Sequence, residues 1–276
     1  MRRKLRGGVP RTKLSPMQAA LAHNPRAVPS ASVTSAVTGL FVYECERDTP
    51  GVAIPRPEIH LVVRFGPLAR GGVDAYAFGL RERAHRKLLR RGQRTVTARL
   101  RLGMHEAVLG MPASEIAGRI VALDELWGEP AARRLLDRLA GARDTAQAAT
   151  ILEGAIAERL AFARAPNART KLALDAADML ATANVSAVAA DLGVSERHLR
   201  RAFHETIGVS PKAFAKLTRF HRALRAARES VHESWASIAA AAGYYDQAHL
   251  IAEFRAIAGV TPRALLGELR AAPTIG

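Results

Sequence analysis

Residues 195–211 read SERHLRRAFHETIGVSP. Arg197, Arg200, Arg201 and His204 recur at spacings of three and four, so on a helix they share one face. Leu199 and Phe203, four apart, share the opposite one. A guanidinium carries a planar fork of N–H donors that pairs through two bonds with a carboxylate, a phosphate or the O6/N7 edge of guanine. Ser195 is a natural helix N-cap, and Gly193 just before it marks a tight turn. A short helix with arginines near its N-terminus, entered through such a turn, has the shape that enters a major groove. A merely solvated arginine face has the same pattern, and a second feature separates the two.

That feature is a repeat. The stretch AAAGYYDQAHLIAEFRAIAGVTP, residues 240–262, follows the frame of ADLGVSERHLRRAFHETIGVSP, residues 190–211. Ala189 and Gly193 match Ala239 and Gly243 at an offset of 50, and beyond the turn the offset is 51. At that offset Leu199 matches Leu250, Phe203 matches Phe254, and Gly208, Val209 and Pro211 match Gly259, Val260 and Pro262. Each copy has a short Ala-rich helix, a turn glycine, a polar cap and a second helix, the anatomy of a helix-turn-helix. Small residues at 189, 190, 239 and 240 let the paired helices approach closely. The second copy carries fewer basic residues: its outward positions are read as Ala248, Ala252 and Glu253, with no Lys or Arg before Arg255. It is therefore expected to position more than to discriminate.

These units need a scaffold. Pro211 opens a long helix between the copies, with Phe214, Leu217, His221 and Leu224 along an apolar seam and Lys216, Arg219 and Arg222 on another face. With a first short helix over Lys171 to Thr182 and a last one after Pro262, residues 171–270 form an all-α domain of seven helices. Upstream the pattern differs. SVTSAVTGLFVYECER, EIHLVVRFGP and RTVTARLRL (residues 94–102) are β-branched or alternating runs separated by Gly and Pro. In the last, Thr95, Thr97, Arg99 and Arg101 face one way and Val96, Ala98, Leu100 and Leu102 the other, predicting a half-buried strand. Helices are expected from Pro112 to Gly128, from Pro130 to Gly141 and from about Thr145 to Ala163. Residues 31–165 thus read as an α+β domain, an antiparallel, barrel-like sheet plus helices, with a linker around Pro166. Residues 1–30, with four prolines and a Gly-Gly pair, read as a basic irregular tail.

The 276 residues carry a formal net charge of +16 and are 49% hydrophobic, so the chain can bury real cores and favours polyanionic partners. Residues 60–101 hold eleven Lys or Arg against Asp74 and Glu82, whereas residues 171–270 hold thirteen against ten acids. Bulk charge therefore lies outside the repeat. The segment RERAHRKLLRRGQR, residues 81–94, reads either as a second phosphate-facing patch or as a solvated charged hairpin. A single cysteine, Cys45, excludes an intrachain disulfide and a four-cysteine zinc site, and suits a reducing cytoplasm. Its neighbours Glu44 and Glu46 disfavour a thiolate by like charge. The nine histidines include no His-x-His or His-Glu-x-x-His spacing, so no metal site and no cofactor is expected, nor an enzyme. No apolar run is long enough for a membrane span. Trp127 reads as a helix-packing anchor.

Residues 171–270 resemble the DNA-binding domain of the AraC/XylS family of bacterial transcription regulators. The resemblance rests on LGVSERHLRRAFHETIGVSPKAF, on IAAAAGYYDQAHLIAEFRAIAGVTP, and most specifically on the Gly-Tyr-x-Asp-Gln-x-His run at 243–249. It implies two helix-turn-helix units reading successive major-groove segments of double-stranded DNA. By motif position it implies base contacts from Arg197, Arg200, Arg201, Gln247 and His249, and phosphate contacts from Ser195, Lys212 and Tyr245. Gln247 and His249 equally suit capping and packing of their turn. The N-terminal half resembles, less specifically, the β-rich sensory domains that accompany this domain, with residues 101–128 similar to the tail of an uncharacterised subclass; its apolar interior suits either an effector pocket or the filled core of a dimerisation or scaffold module. The implied partners are DNA, RNA polymerase, a small-molecule effector of the N-terminal domain and a second copy of the chain. The alternative is a low-specificity architectural DNA-binding protein driven by net charge.

Overall fold

The computed structural model describes residues 36–163, 165–229, 234–271 and 274–275; the tail expected over 1–30 lies outside them. The N-terminal region contains β1 (Val37–Glu44), β2 (Thr49–Ala53), β3 (His60–Phe65), β4 (Val73–Phe78), β5 (His85–Leu89) and β6 (Arg94–Leu100). There follow α1 (His105–Leu109), α2 (Ala113–Ile116), β7 (Ile120–Ala122), α3 (Leu123–Trp127), α4 (Glu129–Ala140) and α5 (Thr145–Leu160). An antiparallel five-stranded sheet has the order β1-β6-β3-β4-β7. A separate ribbon pairs β2 with β5, and the short β8 (Thr274–Ile275) adds to β2 in parallel. The sheet is not closed. The ribbon lies over one face of it, which gives the barrel-like enclosure.

The sheet's two faces differ, as period-two strands require. Leu61, Val63 and Phe65 of β3, Ala75 and Ala77 of β4, and Val96, Ala98 and Leu100 of β6 join one buried core with α1 to α5. The alternate residues, His60, Val62, Arg64, Tyr76, Phe78, Thr95 and Thr97, line a cavity of about 270 Å³ beneath the ribbon. This corrects the half-buried reading of β6. The strand is central, between β1 and β3, and Thr97 and Arg99 are only 3% and 1% exposed. Arg99 is accommodated by stacking 4.2 Å over the Phe41 ring.

The single helix expected from Pro112 to Gly128 is instead α2, β7 and α3. Val121 pairs with Ala77 and Ile120 with Phe78, extending the sheet past β4. The pairing partner lies more than forty residues away, so local helical spacing could not reveal it. Trp127 is a packing anchor: its Nε1 donates to Val108 O at 3.0 Å and Arg159 stacks over the ring.

The C-terminal region is α6 (Ala168–Met179), α7 (Val185–Asp191), α8 (Glu196–Ile207), α9 (Pro211–Glu229), α10 (Trp235–Ala242), α11 (Gln247–Ala258) and α12 (Pro262–Ala271). Asn167, Asn184, Ser195, Ser234 and Asp246 cap α6, α7, α8, α10 and α11, each accepting a backbone N–H three residues on. Their common core is built on Phe203, Phe214, Phe220 and Phe254, all fully buried, and it also takes in Val52, Ile54, Leu80 and Leu102 from the N-terminal region.

The ribbon is therefore a wall with two sides. Val52 opposite Arg86 faces the C-terminal helices, while Ala53 opposite His85, and Gly51 opposite Lys87, point back over the sheet. Arg86 donates to Ala258 O at 2.9 Å and holds Glu268 through two bonds, and Ala84 N–H donates to Ile257 O at 2.8 Å. Most of the basic segment 81–94 is exposed, as the solvated reading expects, yet it is not idle surface. It supplies cavity wall, interdomain contacts, and the Arg90–Asp48 pair at 2.8 Å.

His221 of α9 lies fully inside this junction, and its Nε2–H donates to Pro55 O at 2.7 Å. Burial, with repulsion from Arg56, pushes its pKa down to about 3; burial alone pushes His105 to about 4. Both rings stay neutral in the folded protein where the unfolded chain protonates them near pH 6.5. Their contribution is present above that pH and lost as pH falls toward 4 and 3. Between pH 7 and 5 each should cost about 2 kcal/mol of stability. Urea melts at pH 7, 6 and 5 should show the slope, and His221→Gln, which keeps a donor but does not titrate, should remove one ring's share. An unchanged slope in that variant would refute the account.

Candidate nucleic-acid interface

The first unit presents α8. The Ser195 hydroxyl accepts from His198 N–H at 3.2 Å, leaving its own O–H free to donate outward. Leu199 and Phe203 are fully buried, the latter edge-on to Phe214 at 5.2 Å. With that side fixed, Arg197, Arg200, Arg201 and His204 are all exposed. Arg200 pairs with Glu196, and Arg201 Nε with Glu205 Oε1 at 3.0 Å, each one turn apart. Glu205 is also held by Arg169 of α6. The Arg201 hydrogen bond is the largest cause holding the Glu205 carboxyl below its usual range. Exposed pairs of this kind are worth only tenths of a kcal/mol, so they orient guanidiniums without locking them. Among the described residues Arg197 forms no ion pair.

The second unit is differently furnished. Asp246 caps α11 by accepting from His249 N–H at 2.7 Å, and Tyr244 meets the His249 ring edge-on at 5.3 Å. Tyr245 is 93% exposed, and Gln247 and His249 are exposed beside it. The sequence reading of Glu253 as outward is wrong. Glu253 is 7% exposed and accepts from Arg219 Nη2 of α9 at 3.0 Å. The signal was in the repeat: at the offset of 51, Glu253 falls on Ala202, which is 1% exposed. The outward face of α11 is Ala248, Ala252, Arg255 and Ala256.

The basic row of α9 is likewise divided. Arg219 is engaged with Glu253 and stacks on Tyr244, and Arg222 donates to Ala181 O at 2.8 Å. These bonds hold the linking helix to its neighbours, a role the sequence reading missed. Lys212 and Lys216 remain on a cleft of about 970 Å³ between the two units, where His249 joins them. The structure thus brings Lys212 and His249 to one cleft, and gathers Ser195, Arg197, Arg200 and Arg201 separately on α8.

Residues 188–268 match the family model of a helix-turn-helix domain, of AraC type. The C-terminal region is an AraC/XylS-type double helix-turn-helix domain. The protein is accordingly a DNA-binding transcription regulator. Among solved structures, a DNA-binding transcriptional dual regulator from Escherichia coli K-12 is 24% identical over 40% of this chain and 96% of its own, with a TM-score of 0.31. ToxT from Vibrio cholerae O395 is 12% identical over 83% of this chain and 97% of its own, with a TM-score of 0.42. Wild-type ToxT bound to an unsaturated fatty acid is 10% identical over 86% and 97%, with a TM-score of 0.43. A comparison with curated proteins finds no match.

Among the described residues no three His, Cys, Asp or Glu are placed to hold a metal ion, and no helix is long and apolar enough to cross a membrane. The Cys45 thiol is pushed up, as expected, but by burial against an opposing pull from Lys87; Glu44 and Glu46 are not the cause.

Proposed function

We propose that the protein is a sequence-specific regulator in which α8 reads bases, α11 mainly positions, and the N-terminal sheet region answers to a small-molecule effector. The observation that carries the reading is the arginine face of α8, exposed and lightly paired above a rigid aromatic core. Arg197, Arg200 and Arg201 are the proposed base readers of the first unit, with Gln247 and His249 in the second. Ser195, Lys212 and Tyr245 are the proposed phosphate contacts. The outward face of α11, alanine at Ala248, Ala252 and Ala256 with Arg255 only near the helix C-terminus, supports the unequal division of labour, because methyl groups offer no donor to a base edge.

Selection of the full chain on a random duplex library at physiological salt tests this. One sharp sequence block and a weaker one about a helical turn away (~10 bp) is the expected result. Arg197→Ala and Arg200→Ala should each relax preference at one position and cost roughly 1–3 kcal/mol at the selected site. Uniform weakening on all sequences would instead favour the architectural reading, in which net charge binds and sequence is hardly read.

A further inference from the structure

Glu205 is held from two sides. Its Oε1 accepts from Arg201 Nε at 3.0 Å along α8, and its Oε2 accepts from Arg169 Nη1, which reaches across from α6. Arg169 stands on a fixed base: Asn167 caps α6 by accepting from Thr170 N–H at 2.9 Å, and Thr170 is buried. Arg201 makes its bond through Nε alone. Among the described residues its two terminal nitrogens form no hydrogen bond, and the side chain is exposed. A guanidinium tied at Nε has its plane set while the Nη1–Nη2 edge stays open, and that edge matches guanine O6 and N7. The other two arginines of the face are placed differently. Arg200 bonds Glu196 through Nη2, so its terminal nitrogens are already shared with a carboxylate, and Arg197 is untied.

The repeat extends to the tether. At the offset of 50, α6 and α7 fall on α9 and α10, and Arg169 falls on Arg219. Both arginines leave the first helix of a three-helix unit and hold a glutamate on the third. In the second unit that glutamate is Glu253, which is buried. Glu253 falls on Ala202, so Glu205 stands three positions further along the frame, half-buried and within reach of Arg201. The buried position in α11 suffices to join two helices; the more exposed one in α8 adds a grip on Arg201. The counterparts of Arg201 and Glu205 in the second unit are Ala252 and Ala256, so arginine and carboxylate are absent together there.

We propose that Glu205, tethered by Arg169, is a positioning residue that sets the Arg201 guanidinium for a two-bond contact with a guanine in the major-groove segment faced by the first unit. Holding a long side chain in place before DNA arrives spares part of its ordering cost, worth a factor of about two to ten in affinity. The gain falls on guanine, because no other base presents two acceptors on its major-groove edge. The proposal deepens, and rests on, the reading of Arg201 as a base contact.

The test carries the full chain and its variants through selection on a random duplex library. Each is then titrated at constant ionic strength on the selected duplex, its single-base substitutions and unrelated DNA. Arg201→Ala should abolish a preference for guanine at one position, about tenfold or more. Glu205→Gln should reduce the same preference about threefold and leave the other positions and the thermal midpoint nearly unchanged. It should bind unrelated DNA no more weakly, since a negative charge has left the interface. Arg169→Met, which keeps Glu205 but unties it, should lower that preference at that position only. In the Arg201→Ala background, Glu205→Gln should change it no further. Loss spread over all positions, or an equal loss with and without Arg201, would show Glu205 acting through the fold and overturn the proposal. An intact preference in Arg169→Met would overturn the tether, and a preference lost for another base would overturn the guanine contact. If Arg201→Ala removes the preference and Glu205→Gln leaves it intact, the positioning role falls while the base-contact reading stands. A selection without a motif, or Arg201→Ala that weakens every duplex alike, overturns both together.

Discussion

Arg219→Met should destabilise the protein by about 3 kcal/mol at neutral pH, because it leaves the Glu253 carboxylate buried without its counter-charge. Glu253 is 6% exposed at the side chain and Arg219 31%, so the loss belongs toward the lower end of what a broken buried pair costs. The damage should be local in origin. The pair ties α11 to α9, and Arg219 also covers the Tyr244 ring from 5.5 Å. Urea unfolding at pH 7 measures the effect. The double variant Arg219→Met with Glu253→Leu should recover most of it, since a pair replaced by apolar groups of similar volume loses no charge to burial. Failure of the double variant to recover would show that Arg219 acts through packing on Tyr244, and not as the partner of Glu253.

The duplicated frame supplies its own control for the second large effect. Gly208 and Gly259 occupy equivalent places after α8 and α11, with φ of +88° and +74°, where a side chain is strained. Their surroundings differ. A Cβ on Gly208 would stand 2.9 Å from Ala113 O of α2, a backbone atom of the N-terminal region, and 3.2 Å from the Ala117 side chain. A Cβ on Gly259 would meet only the end of the Arg86 side chain at 3.8 Å. Gly259→Ala should therefore cost about 1 kcal/mol, the left-handed backbone alone. Gly208→Ala should cost about 3 kcal/mol, since overpacking adds to it. The difference between the two melts reads the contact between α8 and the N-terminal region. Equal losses would mean that this contact yields without cost.

Much of the DNA-binding unit was legible from the chain, and particular residues show why. Leu199 and Phe203, repeated as Leu250 and Phe254, define the buried side of α8 and α11, so the arginine face follows from spacing alone. Caps such as Ser195 are equally local, because the bond to His198 N–H is made within three residues. Glu253 escaped because charge was read as exposure, although its place in the repeat matched a buried alanine. Short β-branched or alternating runs separated by Gly and Pro turns point to the antiparallel, barrel-like sheet, and alternation in residues 94–102 to one of its strands. That strand's central position was not legible, because a strand covered on both faces can still carry threonine and arginine when an aromatic ring, here Phe41, receives the guanidinium.

Within residues 171–270 the sequence by itself determined which helices form, most of their buried faces, and that the helix-turn-helix unit occurs twice. Those properties depend on bonds and contacts within one or two turns. Only the tertiary structure decided that Arg219 and Arg222 serve the fold, that β7 interrupts a helical stretch, and that cations from residues 56 to 87 converge on one cavity. It alone joined that cavity to the second unit through the two sides of a single ribbon. These outcomes rest on strand pairing and side-chain partners far apart along the chain, and chain-local periodicity carries no record of which distant partner a residue will meet.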